Sequence, residues 1–367
     1  MNQKPPASQS QPGSQPVSTL SELIASADFN LRWFDVGRRI QPVSKKTAQA
    51  FEDGAAPWPH PYLRQAWCGL LLWPVDETAG GDPVVWFLRL PLDEQGKLLL
   101  PIRDRFLKQL QQALYPEGNG EKDPAKHLQQ ALEGSGLVFT PPEEKRAVFH
   151  AKAAKQLKRP ASDHYPAAQA YAKDPASFPW DQLALQGIAD LAVRWEEQRD
   201  RLAGSIPRFA APALIPLCQC LESEAIDHHL AEPLILRAEQ ALAAGAPEQN
   251  DLNLVTAVIR GVSNSIATGM RQQFLLRVLQ SSDAATHGEV LAAIGSRCSE
   301  DLLVPELAQL WLENLSASQP QQTFNLLLTD LLFLPELRNV LLGVLRNPER
   351  KDSVAHAFGE FLQPSGN

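Results

Sequence analysis

The sequence predicts an α+β protein: an N-terminal mixed α/β region with a small antiparallel sheet, followed by an all-α stack of antiparallel helical hairpins, HEAT-like only in a loose sense. Three observations predict it. Runs of β character all fall before residue 205, an apolar period of 3.6 residues governs everything from about that point on, and the acidic excess lies wholly in that second part. Residues 205–367 carry ten basic and eighteen acidic side chains, while the basic and acidic residues before them balance. At 367 residues the chain also exceeds the roughly 250–300 at which one hydrophobic core stops growing. Four segments are expected: a disordered tail over 1–18, an α/β domain over 19–160, a proline-interrupted helical connector over 161–204, and an acidic, repeat-like helical domain over 205–367.

Taken in order, Met1 to Ser18 is rich in Pro, Gln and Ser, with almost nothing apolar to bury. A short helix follows, with Leu20, Leu23 and Ile24 on one side. Phe29 to Ile40 reads as a strand with Leu31, Trp33 and Asp35 on one face, and Lys45 to Phe51 as a helix. Gln65 to Trp73 is apolar on both faces (Trp67, Gly69, Leu71 and Trp73 against Cys68, Leu70 and Leu72), which marks a central strand covered on both sides. Val84 to Leu90 is a second strand, Asp93 to Gly96 a hairpin turn, and Lys97 to Leu100 the returning strand. Gly80-Gly81 reads as a flexible turn. Pro101 opens a helix whose stripe is Ile102, Phe106, Leu110 and Ala113. Pro124 opens another helix, Leu137 to Thr140 is a short strand, and Pro179 starts a helix running through Trp180, Leu183, Ile188, Leu191 and Trp195.

Beyond residue 205 helices are expected at about 207–222, 231–244, 249–261, 264–281, 286–297, 302–316, 319–333, 335–346 and 350–362. Ile266, Met270, Phe274 and Val278 form one apolar stripe. Leu326 to Leu334 is apolar nearly all round and predicts the most buried helix. Gly245 sits where a C-terminal cap belongs, and Asn347-Pro348 stops another helix. Helix pairs recur every ~35 residues, but no aligned repeat signature is present.

Composition excludes several functions. The acidic C-terminal part repels phosphate backbones. The longest apolar runs, Gly69 to Val75 and Val84 to Leu88, fall well short of the roughly 20 residues of a membrane span. With no export signal and four scattered cysteines, a reduced, cytoplasmic setting is expected. No cofactor is implied.

The stretches FDVGRRI (Phe34–Ile40), AWCGLLLW (Ala66–Trp73) and VVWFLRLPLDEQGKLLLPIRDRFL (Val84–Leu107) resemble an uncharacterised gammaproteobacterial protein family, a domain of unknown function spanning nearly the whole chain. The resemblance implies a bacterial cytoplasmic protein and brings no activity, cofactor or catalytic residue with it.

Candidate sites are few. Cys218 and Cys220 are two apart, so on a helix they diverge by about 200° and cannot face one ion; buried structural thiols are expected. Asp227-His228-His229 echoes a phosphoesterase motif but lies in helical sequence, where a loop with solvated histidines is the simpler reading. Neither a G-x-S-x-G elbow nor a phosphate-binding glycine loop occurs, and no catalytic or metal-binding residue is assigned. The one patterned polar feature is the helix from Glu143 to Arg159, on which Lys145, Lys152, Lys155 and Arg159 fall within an ~80° arc. That stripe is the candidate contact for an anion or a partner, with a solvated face or internal docking against the acidic region as alternatives. Arg38 and Arg39 are a smaller case of the same kind, and Arg103, Arg105 and Lys108 read as the wet side of their helix.

The functional expectation is a non-enzymatic protein-interaction or adaptor module whose partner is another protein. The alternatives are an RNA- or DNA-associated protein using the basic stripe, which the net charge disfavours, and an enzyme with a cleft between the two regions. Oligomeric state is not specified by the sequence.

Overall fold

A computed structural model describes residues 18–76, 82–114, 124–243 and 248–363. The expectations for the tail, for Gly80-Gly81 and for the Gly245 cap lie outside these residues. The architecture is α+β, as its strand and helix content requires.

The chain opens with α1 (Leu20–Ser26). Thr19 and Glu22 form a reciprocal capping box at its start, and Leu20, Leu23 and Ile24 are its buried face. Then come β1 (Phe29–Asp35), β2 (Gln41–Pro42), α2 (Lys45–Glu52), β3 (Gln65–Pro74), β4 (Val84–Pro91), α3 (Leu100–Leu114) and α4 (Pro124–Gly134). The four strands form one antiparallel sheet in the order β2-β1-β3-β4. In its centre Leu70 of β3 lies opposite Trp33 of β1 and Trp86 of β4.

Three sequence expectations change here. The first strand stops at Asp35, and Val36 to Ile40 leave the sheet before the chain returns as β2. The expected returning strand at Lys97 shrinks to a single bridge between Leu92 and Leu98, because helix α3 claims Leu100 onward. The strand expected near Leu137 is likewise one bridge, from Val138 to Leu88, flanked by two backbone hydrogen bonds.

Helices fill the rest: α5 (Glu143–Gln156), α6 (Tyr165–Lys173), α7 (Leu185–Val193), α8 (Arg199–Ser205), α9 (Ala211–Leu221), α10 (His228–Ala243) and α11 (Gln249–Val262), then α12 (Thr268–Gln280), α13 (Gly288–Arg297), α14 (Pro305–Ser318), α15 (Gln321–Leu332), α16 (Pro335–Leu345) and α17 (Asp352–Phe361). Pro179 opens only a tight turn at Trp180–Gln182; Leu183 and Ala184 are extended, so the expected long helix begins at Leu185. Ile266 precedes α12 and is exposed rather than part of its stripe. The most buried helix is not the leucine-rich α15, whose Leu326 is 57% exposed, but α7, in which every residue from Gly187 to Val193 is buried. α15 packs against α13, α14, α16 and α17, yet these neighbours leave the stripe of Gln322, Leu326 and Thr329 exposed. No helix among the described residues is long and apolar enough to cross a membrane.

Two cores result. Trp33, Phe51, Trp58, Cys68, Leu70, Leu72, Leu88 and Leu110 gather on one face of the sheet beneath α1, α2 and α3. The second core runs through the helices from α5 to α17 and takes Phe34, Val36, Ile40 and Leu71 from the other face. The alternation read in β3 therefore holds, with Cys68, Leu70 and Leu72 on one side and Leu71 on the other. Phe149 of α5 lies so close over β3 that a Cβ on Gly69 would fall inside the van der Waals envelope of its ring. Residues 143–160, assigned from sequence to the head, pack with α7 and α9 of the stack.

Candidate functional site at the head–stack junction

The residues that leave the sheet after Asp35 form the seam between head and stack. Asp35 is fully buried, and its Oδ1 accepts from Trp58 Nε1 at 3.1 Å. Burial raises its carboxyl to about 7, against the opposing pull of the Trp58 hydrogen bond and of Lys145. Lys145 reaches across from α5 and donates to the carbonyls of Val36, at 2.8 Å, and Gly37. Its buried ammonium is pushed down to about 8, first by desolvation and then by Arg297.

Arg38 donates to Ser296 O at 3.0 Å and to Asp330 Oδ2 on α15 at 2.6 Å. Arg39 donates to Asn264 Oδ1 at 2.6 Å and to Arg297 O at 3.0 Å. Asp330 also accepts the backbone N–H of Leu63 at 2.7 Å. Leu63 and its neighbour Arg64 both hold left-handed backbone, φ 49° and 58°, in the tight turn joining Tyr62 to Gln65. That conformation costs an ordinary side chain about 1–2 kcal/mol per residue, and the Asp330 carboxylate helps to hold it. The Tyr62 ring carries the guanidiniums of Arg38 and Arg297 at 5.2 and 5.8 Å. On the stack side Glu222 Oε2 accepts from Arg260 Nε at 2.8 Å and Arg297 Nε at 3.1 Å. Burial alone would raise Glu222, but Arg297, Arg260 and Lys145 outweigh it and hold the carboxyl at about 2.

The four stripe residues divide. Lys145 belongs to the seam. Lys152 pairs with Glu224 at 2.6 Å and donates to Ser223 O at 2.9 Å, so it too faces inward. Lys155 is half-exposed, donates to Val193 O at 2.8 Å and stands 4.0 Å from Glu196. Arg159 lies past the end of α5 and 3.5 Å from Asp82; Lys158 just before it has turned to φ 54°, so the arc no longer places it. Lys145 and Lys152 are both engaged internally, Lys152 against the acidic region and Lys145 against the backbone that follows β1.

All four cysteines are buried free thiols, Cys218 and Cys220 among them, and burial raises each thiol above its ordinary range. Asp227 caps α10 through the Leu230 N–H and pairs with Arg199 at 2.5 Å. Among the described residues no group of three or more metal-ligating side chains converges.

Beside the seam, a half-open cleft of about 340 Å³ separates the two bodies. The head supplies Arg38, Arg39, Gln41 and His60, and the stack supplies Glu300, Leu303, Leu334, Glu336 and Leu337. Burial, then the charge of Arg39 and Arg38 against the weaker pull of Glu300, holds the His60 imidazole below its usual pKa. The sequence pointed to Arg38 and Arg39 as an adjacent pair past a strand; His60, in the Pro-rich PWPHP loop, carried no signal.

These features define a class: a small antiparallel-sheet head locked onto an irregular stack of helical hairpins through a buried ionic seam, with an open cleft at the rim. The chain belongs to the DUF3549 family of proteins of unknown function, whose family model matches residues 15–362. No curated protein and no solved structure matches it.

Proposed function

We propose that the protein is a non-enzymatic binding module, an adaptor that holds another protein at the head–stack cleft. The observation that carries this reading is the cleft itself. A rigid seam fixes one wall relative to the other, and the walls combine a few polar groups with an apolar side, the composition of a binding site. The seam's own charges are largely spent on one another, which suits a frame better than a reaction centre. Lys145 and Lys152 are likewise engaged internally, so the nucleic-acid reading loses half of its basic stripe.

Affinity capture with the tagged full chain at low and moderate salt tests this. A protein retained by the native chain and by Lys155→Glu/Arg159→Glu, but lost from a variant with Leu303→Asp in the cleft, is the expected result. Capture that is indifferent to Leu303→Asp removes the cleft from the reading. Nucleic acid that is released by salt and lost with Lys155→Glu/Arg159→Glu would replace it with the basic-stripe reading.

The enzyme reading retains one favourable observation. Burial, then Arg39, lowers the pKa of His60 in the cleft, which favours the neutral form a general base needs.

A further inference from the structure

We propose that the junction cleft recognises a carboxylate flanked by apolar side chains on an extended segment of a protein partner, with Arg39 as the carboxylate's counter-ion. This deepens the binding reading above and rests on it. The argument begins with charge accounting. Arg38 spends its charge on Asp330 and Arg297 spends its own on Glu222. Arg39, beside them and only partly exposed, donates to an amide oxygen and a carbonyl and has no carboxylate partner among the described residues.

A guanidinium withdrawn from water and left without a counter-ion is a favourable place for an anion. Glu300 and Glu336 also border the cleft, but both are exposed, where water and salt screen them. His60 is held below its usual pKa first by burial and then by Arg39, with Glu300 pulling the other way and Arg38 adding a smaller push. The opposite wall, Leu303, Leu334 and Leu337, has nothing to offer a phosphate or a sugar and much to offer a leucine or valine side chain. Leu303 is 37% exposed on that wall. Acidic and apolar residues in alternation match both walls at once.

A bound carboxylate near His60 would favour its protonation, so binding takes up a proton and strengthens as pH falls below the ordinary histidine range. The charged groups facing His60 are Arg38 and Arg39 from the head and Glu300 and Glu336 from the stack, and only the first three act on it appreciably.

Fluorescence anisotropy on the full chain tests the assignment with a labelled, capped hexapeptide of alternating leucine and aspartate. Its asparagine counterpart and free 4-methylpentanoate serve as comparisons. The aspartate peptide should bind at least about tenfold tighter than the asparagine peptide, and Arg39→Gln should remove that margin. Leu303→Asp, at an exposed position that leaves the fold intact, should abolish binding at an unchanged melting temperature. Equal binding of the two peptides, both blocked by Leu303→Asp, overturns the carboxylate and leaves the cleft reading standing. No binding of either peptide overturns the acidic–apolar occupant, and the capture experiment with Leu303→Asp then judges the cleft separately. Binding of 4-methylpentanoate as tight as that of the peptide overturns the protein source in favour of a small apolar acid.

Discussion

The head and the stack are built around cores that differ in ownership. Among the described residues the head's core takes only Phe333 from the stack, packed partly against it. The stack's core takes four residues from the head: Phe34, Val36, Ile40 and Leu71. One body is therefore closed without its neighbour, while the other uses the neighbour's sheet as its last wall. The polar seam follows the same asymmetry. Lys145 and Asp330 from helices, and Ser223 from the turn after α9, all reach to the backbone or side chains of Val36 to Ile40 and Leu63. Apolar contact is non-directional and joins the two bodies without fixing how they sit; the charged and hydrogen-bonded seam fixes the register.

Four substitutions can break or sharpen this comparison. The largest effect is expected at Glu222, whose removal strips Arg297 of its carboxylate and leaves Arg260 with only Glu144, 3.8 Å away. Glu222→Ala should cost about 3–5 kcal/mol in denaturant unfolding, and a loss under about 1 kcal/mol would show that the seam is not structural.

Next is Gly69→Ala, which forces β3 and Phe149 apart at the place where the stack borrows the sheet. It should cost about 1–3 kcal/mol, and Phe149→Leu should recover part of that loss in a double-mutant cycle. An unrecovered loss would place the strain elsewhere.

Third, Asp35 gives the head a pH signature. Its folded pKa is raised from 3.8 to about 7, so the stability it contributes is complete below the ordinary aspartate range and lost as pH rises through about 7. Glu222 runs the other way: its folded pKa is lowered from 4.5 to about 2, so its contribution is complete above the glutamate range and lost as pH falls through about 2. Asp35→Asn should therefore be better tolerated at pH 8 than at pH 5 in unfolding experiments; the reverse order would contradict the burial argument.

The smallest effect is a gain. Arg64→Gly removes the side-chain cost of left-handed backbone and should stabilise by about 1 kcal/mol or less. A loss would mean that the stacking of Arg64 on Phe333, 5.5 Å away, outweighs it.

Helix limits were legible because periodicity and its interruptions are local. The stretch 249–261 is α11 to within a residue, and Asn347-Pro348 ends α16 as proline should. Periodicity assigns residues to faces without saying what covers each face. Lys145 and Lys152 do share one side of α5, but that side looks inward, onto the chain after β1 and onto Glu224. The leucines of α15 erred in the other direction, since sequence cannot show that its four neighbouring helices leave the stripe with Leu326 uncovered. The seam was illegible for a simpler reason: Arg38 and Asp330 are 292 residues apart, and no local pattern links them. The stretch Phe34 to Ile40 stood out through the family resemblance and through its Arg38–Arg39 pair, and it is the stretch that crosses the seam.

The four buried thiols give each body its own reporter of breathing. Cys68 sits in the head's core, while Cys218, Cys220 and Cys298 sit in the core of the stack. A thiol reagent can reach them only through transient opening, and their raised pKa values keep them protonated until then. With no mutation and no label introduced, the rates at which these sites are modified under native conditions read the opening free energies of the two bodies separately.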